Sequence, residues 1–206
     1  MELRPVLGST YVADGATALL PIYMLNSTDI VLLDTGYAKL DRSALTHLLD
    51  DNGFHLKGIL CSHAHFDHTG NVRYLQQRYG ALAAAQLIEA GISVNPDAYR
   101  ANYVALTYGR SRSYFLEECF TADVIIPADA TELTFCGAKF GILQLPGHSA
   151  GHIGIANLYS YCDAAELWRH GWCRQFVLRG KSRNVRDIGV LSWNYVHLRC
   201  QCLCRL

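Results

Sequence analysis

The chain has 206 residues, half of them hydrophobic and 17% charged, which suits one domain with a sizeable core and is too short for two comfortable ones. Eighteen Lys and Arg balance eighteen Asp and Glu, so the net charge of zero does not point to nucleic acid or an anionic membrane as a partner. Met1-Glu2-Leu3-Arg4-Pro5 is not followed by a long apolar segment, and the run Ala16 to Leu25 is broken by Pro21 and too short to span a bilayer; the expected location is the cytoplasm.

Residues 3–34 read as short strands separated by turns at Asp14-Gly15 and Asn26-Ser27-Thr28-Asp29. Leu19–Leu25 and Ile30–Leu33 are the clearest of them. The second has no polar alternation, as in a strand buried on both faces, and it ends in Asp34-Thr35-Gly36. A helix is expected next, capped by Asp41 or Ser43, with Ala44, Leu45, Leu48 and Leu49 on one stripe and Gly53 as a left-handed terminator. The apolar run Gly58-Ile59-Leu60-Cys61 then delivers the chain into Ser62-His63-Ala64-His65-Phe66-Asp67-His68-Thr69-Gly70. Three imidazoles and one carboxylate fall within six residues. His63 and His65 are two apart and share a side in extended backbone, whereas a helix would turn them apart by about 200°. Asp67 and His68 follow one another and, past the turn, face a second position. Paired imidazoles beside a carboxylate are what borderline divalent ions bind, so the stretch reads as a metal site.

Beyond it, a helix runs from about Asn71 to Tyr79, Gly80 ends it, and Ala81–Ala84 form a short strand. This strand-helix-strand rhythm excludes an all-β protein. Residues 85–121 are more helical and rich in aromatics, with Asn95-Pro96-Asp97 as a helix start. Tyr99, Tyr103 and Leu106 share one face there, followed by Tyr108, Tyr114, Phe115 and Phe120; core packing is the ordinary reading of such a stripe. Val124–Ile126, Glu132–Phe135 and Ala138–Leu145 return to strands, and the last feeds Pro146-Gly147, a tight loop that presents His148. His152 precedes the strand Ile153–Ala156, and its neighbours Gly151 and Gly154 suggest close backbone packing.

His63-Ala64-His65-Phe66-Asp67-His68 resembles the His-x-His-x-Asp-His signature of the metallo-β-lactamase-fold hydrolases. Asp34-Thr35-Gly36 and Pro146-Gly147-His148-Ser149-Ala150-Gly151-His152 resemble that superfamily's other landmarks, in the same order, and together the three cover about residues 1–157. The resemblance implies an α/β (α+β) fold, an αββα sandwich of two mixed sheets face to face with helices outside. It implies a first metal held by His63, His65 and His148, and a second held by Asp67 and His68 with a bridging aspartate and a late histidine. Zinc is the expected ion, one or two per chain, with iron or manganese as alternatives. Two such ions share a bridging water or hydroxide, which is the nucleophile, and Asp67 is the catalytic residue that orients it or accepts its proton. Asp34 supports the site from behind the ligands, and His152 has a similar or purely structural place. An insertion in related proteins covers the metal cleft at the point where the aromatics stand here, so Tyr99, Tyr103 and Tyr108 are expected to line a substrate lid.

After Asn157 the character changes. Residues 1–157 carry ten basic and fifteen acidic side chains, a balance of −5, and residues 158–206 carry eight and three, a balance of +5. All three tryptophans lie in the second stretch, with Cys162, Cys173, Cys200, Cys202 and Cys204, while only Cys61, Cys119 and Cys136 precede it. The spacing of Cys200, Cys202 and Cys204 is not that of a zinc knuckle, and without a secretion signal disulfides are not the default reading. The expected organisation is a metallo-β-lactamase-like body over 1–157 and an atypical Cys-, Trp- and Arg-rich segment over 158–206. A divergent half of the fold and a frame shift or alternative transcript fit that segment equally. Asp163, 15 residues past His148 with Cys162 before it, is the one plausible bridging ligand; His170 and His197 are the choices for the late histidine. The function expected is hydrolysis of a small-molecule ester, thioester, lactone or lactam. The alternatives are an iron-dependent oxygenase of sulfur compounds on the same fold and an inactive product with an incomplete site. The substrate and the oligomeric state stay open.

Overall fold

The computed structural model of the chain describes residues 1–16, 18–102 and 115–157. Seven strands form one sheet in sequence order: β1 (Leu3–Leu7), β2 (Thr10–Asp14), β3 (Leu19–Met24), β4 (Asp29–Leu33), β5 (His55–Cys61), β6 (Leu82–Gln86) and β7 (Val124–Ile126). The first four are antiparallel neighbours joined by short turns, and β4 to β7 are parallel. The change follows from the connections, because a parallel neighbour needs a crossover. Helix α1 (Ala38–Asp51) supplies it between β4 and β5, and α2 (Phe66–Thr69) and α3 (Val72–Tyr79) between β5 and β6. Helices α4 (Leu87–Ser93) and α5 (Pro96–Asn102) lie between β6 and β7. Three further strands, β8 (Glu132–Phe135), β9 (Ala138–Gln144) and β10 (Ile153–Asn157), form a second sheet in the order β10-β9-β8. Among the described residues this sheet is antiparallel throughout, not mixed, because its strands are joined by tight loops.

The two-residue period of the central strands decides which layer each side chain joins. Ile30 and Leu32 of β4, Ile59 and Cys61 of β5, and Ala83 and Ala85 of β6 face Leu45, Leu48 and Leu49 of α1 and Val72 and Leu75 of α3. Val31, Leu33, Leu60 and Ala84, the alternate residues, face Phe135, Phe140, Ile142, Ile153 and Ile155 of the small sheet. The result is helices, large sheet and small sheet stacked in that order, with one core on each side of the large sheet. Strands without polar alternation are what this burial on both faces requires.

Three local details differ from the sequence expectation. Helix α1 begins at Ala38, so Asp41 is one turn inside it, fully buried, accepting the N–H groups of Tyr37 (2.8 Å) and Ala16 (2.6 Å). It thereby ties the helix start to the β2–β3 turn instead of capping from outside. Strand β6 begins at Leu82 and runs on to Gln86, directly into α4. Asn95 does cap its helix, accepting Asp97 N–H at 2.9 Å, but Tyr99 of that helix is 1% exposed and belongs to the core. The left-handed glycines at the ends of α1 and α3 are where expected, Gly53 at φ 63° and Gly80 at φ 67°. No helix among the described residues is long and apolar enough to cross a membrane.

Candidate metal centre

Buried strand β5 ends at Cys61, and the chain is extended at His65, φ −88° and ψ 142°, before α2 begins. This keeps His63 and His65 on one side. Helix α2 then turns Asp67 and His68 towards the same region from its first turn. From the other sheet, β9 ends at Gln144 and the loop through Pro146 and Gly147 (φ 143°) brings His148 back across the top. Ligand atoms of His63, His65 and His148 lie within 4.8 Å of one another, although 83 residues separate the last two.

His63 is the hub of a larger imidazole cluster. Its ring centroid is 4.5 Å from His65, 4.2 Å from His68 and 4.8 Å from both His148 and His152. His63 Nε2 and His65 Nδ1 are 3.0 Å apart. His68 Nε2 stands 3.8 Å from Asp67 Oδ2. His63 and His65 are sealed from solvent, whereas His148, Asp67 and His68 are partly exposed, so the cluster opens on their side.

Burial and the crowding of like groups favour the neutral form of His63, His65, His148 and His152. Burial takes the His65 pKa down to about 3, with His148 and His68 adding to it, and takes His152 to about 4. His63 is pushed well below its ordinary value and His148 is lowered, again chiefly by burial. A neutral imidazole has a free lone pair, the form a metal takes. Asp67 Oδ1 and His152 Nδ1 are buried with no hydrogen-bond partner among the described residues. Convergent neutral imidazoles with two orphaned polar atoms beside them fit a borderline divalent cation.

Two buried carboxylates support this arrangement. Asp34, 2% exposed and at a left-handed φ of 63°, accepts Ser62 N–H (2.8 Å), Ser62 Oγ (2.8 Å) and His68 Nδ1 (2.9 Å). Ser62 Oγ is in turn 2.9 Å from His63 Nδ1. Glu89 of α4, fully buried, accepts Ala64 N–H at 2.7 Å, Gly151 N–H at 2.7 Å and the Ser149 hydroxyl. The sequence drew attention to Asp34 and passed over Glu89, which stands alone in an unremarked helical stretch. His152 lies against His63 in the cluster, closer than a merely supporting place implied.

The lid expectation is corrected for Tyr99. Its hydroxyl is 2.6 Å from Thr69 Oγ1, and with Ala64, Phe66, Phe115 and Cys119 it forms a small core beneath the metal loop. An apolar stripe facing a loop of buried histidines is satisfied by packing under it. Tyr103 and Tyr108 lie outside the described residues, as do Asp163, His170 and His197.

Comparison with known proteins agrees with this geometry. Residues 21–157 match the family described as the metallo-beta-lactamase superfamily. A type 2 metallo-beta-lactamase of Pseudomonas aeruginosa is 26% identical over 154 residues, covering 71% of this chain and 60% of that protein. A hydroxyacylglutathione hydrolase of Shewanella pealeana is 28% identical over 127 residues, covering 62% of this chain and 37% of that protein. The class B3 di-zinc metallo-beta-lactamase LRA-12 from an Alaskan soil metagenome shares the fold at a TM-score of 0.61 and 19% identity, covering 75% of this chain and 56% of that one. The chain thus spans between about a third and two thirds of the length of the relatives it matches.

Proposed function

The chain belongs to the metallo-β-lactamase superfamily, and on that premise we propose that it is a metal-dependent hydrolase of a small-molecule ester, thioester, lactone or lactam, with zinc as its ion. The observation that carries the reading is the convergence of His63, His65 and His148 from two different sheets to within 4.8 Å. A set of three imidazoles suits zinc. Bound there, the ion would supply Lewis-acid polarisation of the scissile group and acidify a water.

The chain's own residues do the rest. His63, His65 and His148 would hold the ion, and Asp67 and His68 stand beside them on the more open side. Asp34 fixes the His68 ring through Nδ1 and so leaves Nε2 turned towards Asp67. Asp67, 21% exposed at its side chain, stands where the cluster meets solvent and can accept a proton from an approaching water at its carboxylate. Phe66 and Tyr99 close the floor, so a substrate approaches from the side of His148 and Gly147.

The two relatives suggest the first probes, a β-lactam and a hydroxyacylglutathione thioester. Protein loaded with zinc is expected to hydrolyse at least one carboxylic ester, thioester or lactam faster than chelated protein. His63→Ala should lose both the ion and that rate. Equal rates with and without metal, or dialysed protein that retains no divalent ion, would count against the reading.

A further inference from the structure

We infer that Glu89 is a positioning residue for the metal centre, a carboxylate that ties the His63/His65 loop to the His148 loop. The inference rests on the metal reading above but is drawn from contacts that the ion does not make. One oxygen, Oε2, takes the N–H of Ala64, the residue between the two histidine ligands of the first loop. The other, Oε1, takes the N–H of Gly151 and the hydroxyl of Ser149, which flank the second loop's turn after His148. The first loop leaves the large sheet and the second leaves the small one, so the carboxylate joins two elements that share no strand pairing.

The approach is close by design of the sequence. A Cβ at Gly151 would overlap Gln86 Oε1 and sit 3.0 Å from Glu89 Cγ, so with glycine there the loop lies against the start of α4 without displacing Gln86. Gln86 Oε1 in turn accepts Ile88 N–H at 2.6 Å, which fixes the first turn that carries Glu89. A fully buried carboxylate needs donors for both oxygens, and here all three donors come from the two ligand loops. Glutamine would keep the volume but offer one carbonyl oxygen. Its NH2 would then face the N–H of Ala64 or of Gly151, and that buried backbone N–H would lose its acceptor.

The test compares wild type, Glu89→Gln and Leu75→Ala, a core variant on α3 that touches none of these hydrogen bonds and is chosen to give a similar loss of thermal midpoint. Two readouts are taken: amide exchange at Ala64 and Gly151 in metal-free protein, and Zn2+ affinity by chelator competition, with the visible spectrum of the Co2+ form. Glu89→Gln is expected to speed exchange at those two amides at least tenfold relative to the Ile22 amide of β3. It should also weaken Zn2+ binding tenfold or more and change the Co2+ spectrum. Leu75→Ala should do none of these beyond its global effect. Unchanged exchange at Ala64 and Gly151 in Glu89→Gln would overturn the inference, as would Zn2+ weakening no greater than in Leu75→Ala. If Glu89→Gln does not fold, Ser149→Ala removes one donor of the three; faster Gly151 exchange with about threefold weaker Zn2+ supports the role, and no change overturns it. Wild type that binds no Zn2+ at all would instead overturn the metal reading, and amide exchange alone would then decide the role of Glu89.

Discussion

Asp34 shows how much a single side chain is asked to hold. Its left-handed backbone is one that Asp tolerates better than most residues, at a cost of about 1 kcal/mol or more. Against this it satisfies Ser62 twice and His68 once inside the protein. Asp34→Ala is expected to lower stability by roughly 3 kcal/mol, because it strands several buried donors and keeps the strain; a urea titration reads this, and a loss below about 1 kcal/mol would refute it. The histidines make a second expectation. The unfolded chain takes up protons near pH 6.5, while burial delays this to about 4 at His152 and about 3 at His65. Between those values the unfolded state binds more protons, so stability of metal-free protein falls as pH drops from 6.5 to 4, by about 1.4 kcal/mol per pH unit for each such ring. A thermal midpoint that stays flat over that range would show that protons reach the folded rings. The first candidate loop stood out in the sequence because four of its groups sit within six residues. Glu89 was not, since its partners lie 25, 60 and 62 residues away and a lone glutamate looks like a solvated one.

At the scale of elements, β5 carries the architecture. It pairs with β4 and β6, buries alternate faces in two cores, and ends at the metal loop. Gly58 makes this possible. A Cβ there would run into the Phe135 ring and lie 2.6 Å from Cys136 Sγ, so the small sheet sits against the large one only because this position is bare. Gly58→Ala should cost about 1–3 kcal/mol through forced repacking, read as a lower denaturation midpoint; a variant as stable as wild type would mean that Phe135 swings aside freely. The strands were readable from their apolar runs and from turn chemistry such as Cys136-Gly137, where both residues take positive φ, 50° and 83°. The start of α1 was misread because Asp41 has the chemistry of a cap while standing a turn further in. The passage from β6 into α4 has neither glycine nor proline to mark it, and Ala83, Ala84 and Ala85 favour no period.

For the molecule as a whole, the two proposed metal positions are unequally provided for. The three histidines of the first lie in the described core, whereas the second has Asp67 and His68 and would borrow Asp163 and a late histidine from residues 158–206. We expect about one tightly held divalent ion per chain, with weak hydrolytic activity unless that segment completes the second position. Metal analysis of dialysed wild type and Asp163→Ala decides this: two tight ions in the first and fewer in the second would make the segment a working half of the enzyme. The division of the histidines between sheets has one more consequence. His65 and His148 stand 83 residues apart in the chain, and nothing brings them together until both sheets have formed and stacked. An ion that needs both can therefore act only late on the folding path, as a staple across a finished sandwich. Chelation should leave the refolding rate nearly unchanged and raise the unfolding rate, so that the ion prolongs the native state's lifetime without hastening its birth.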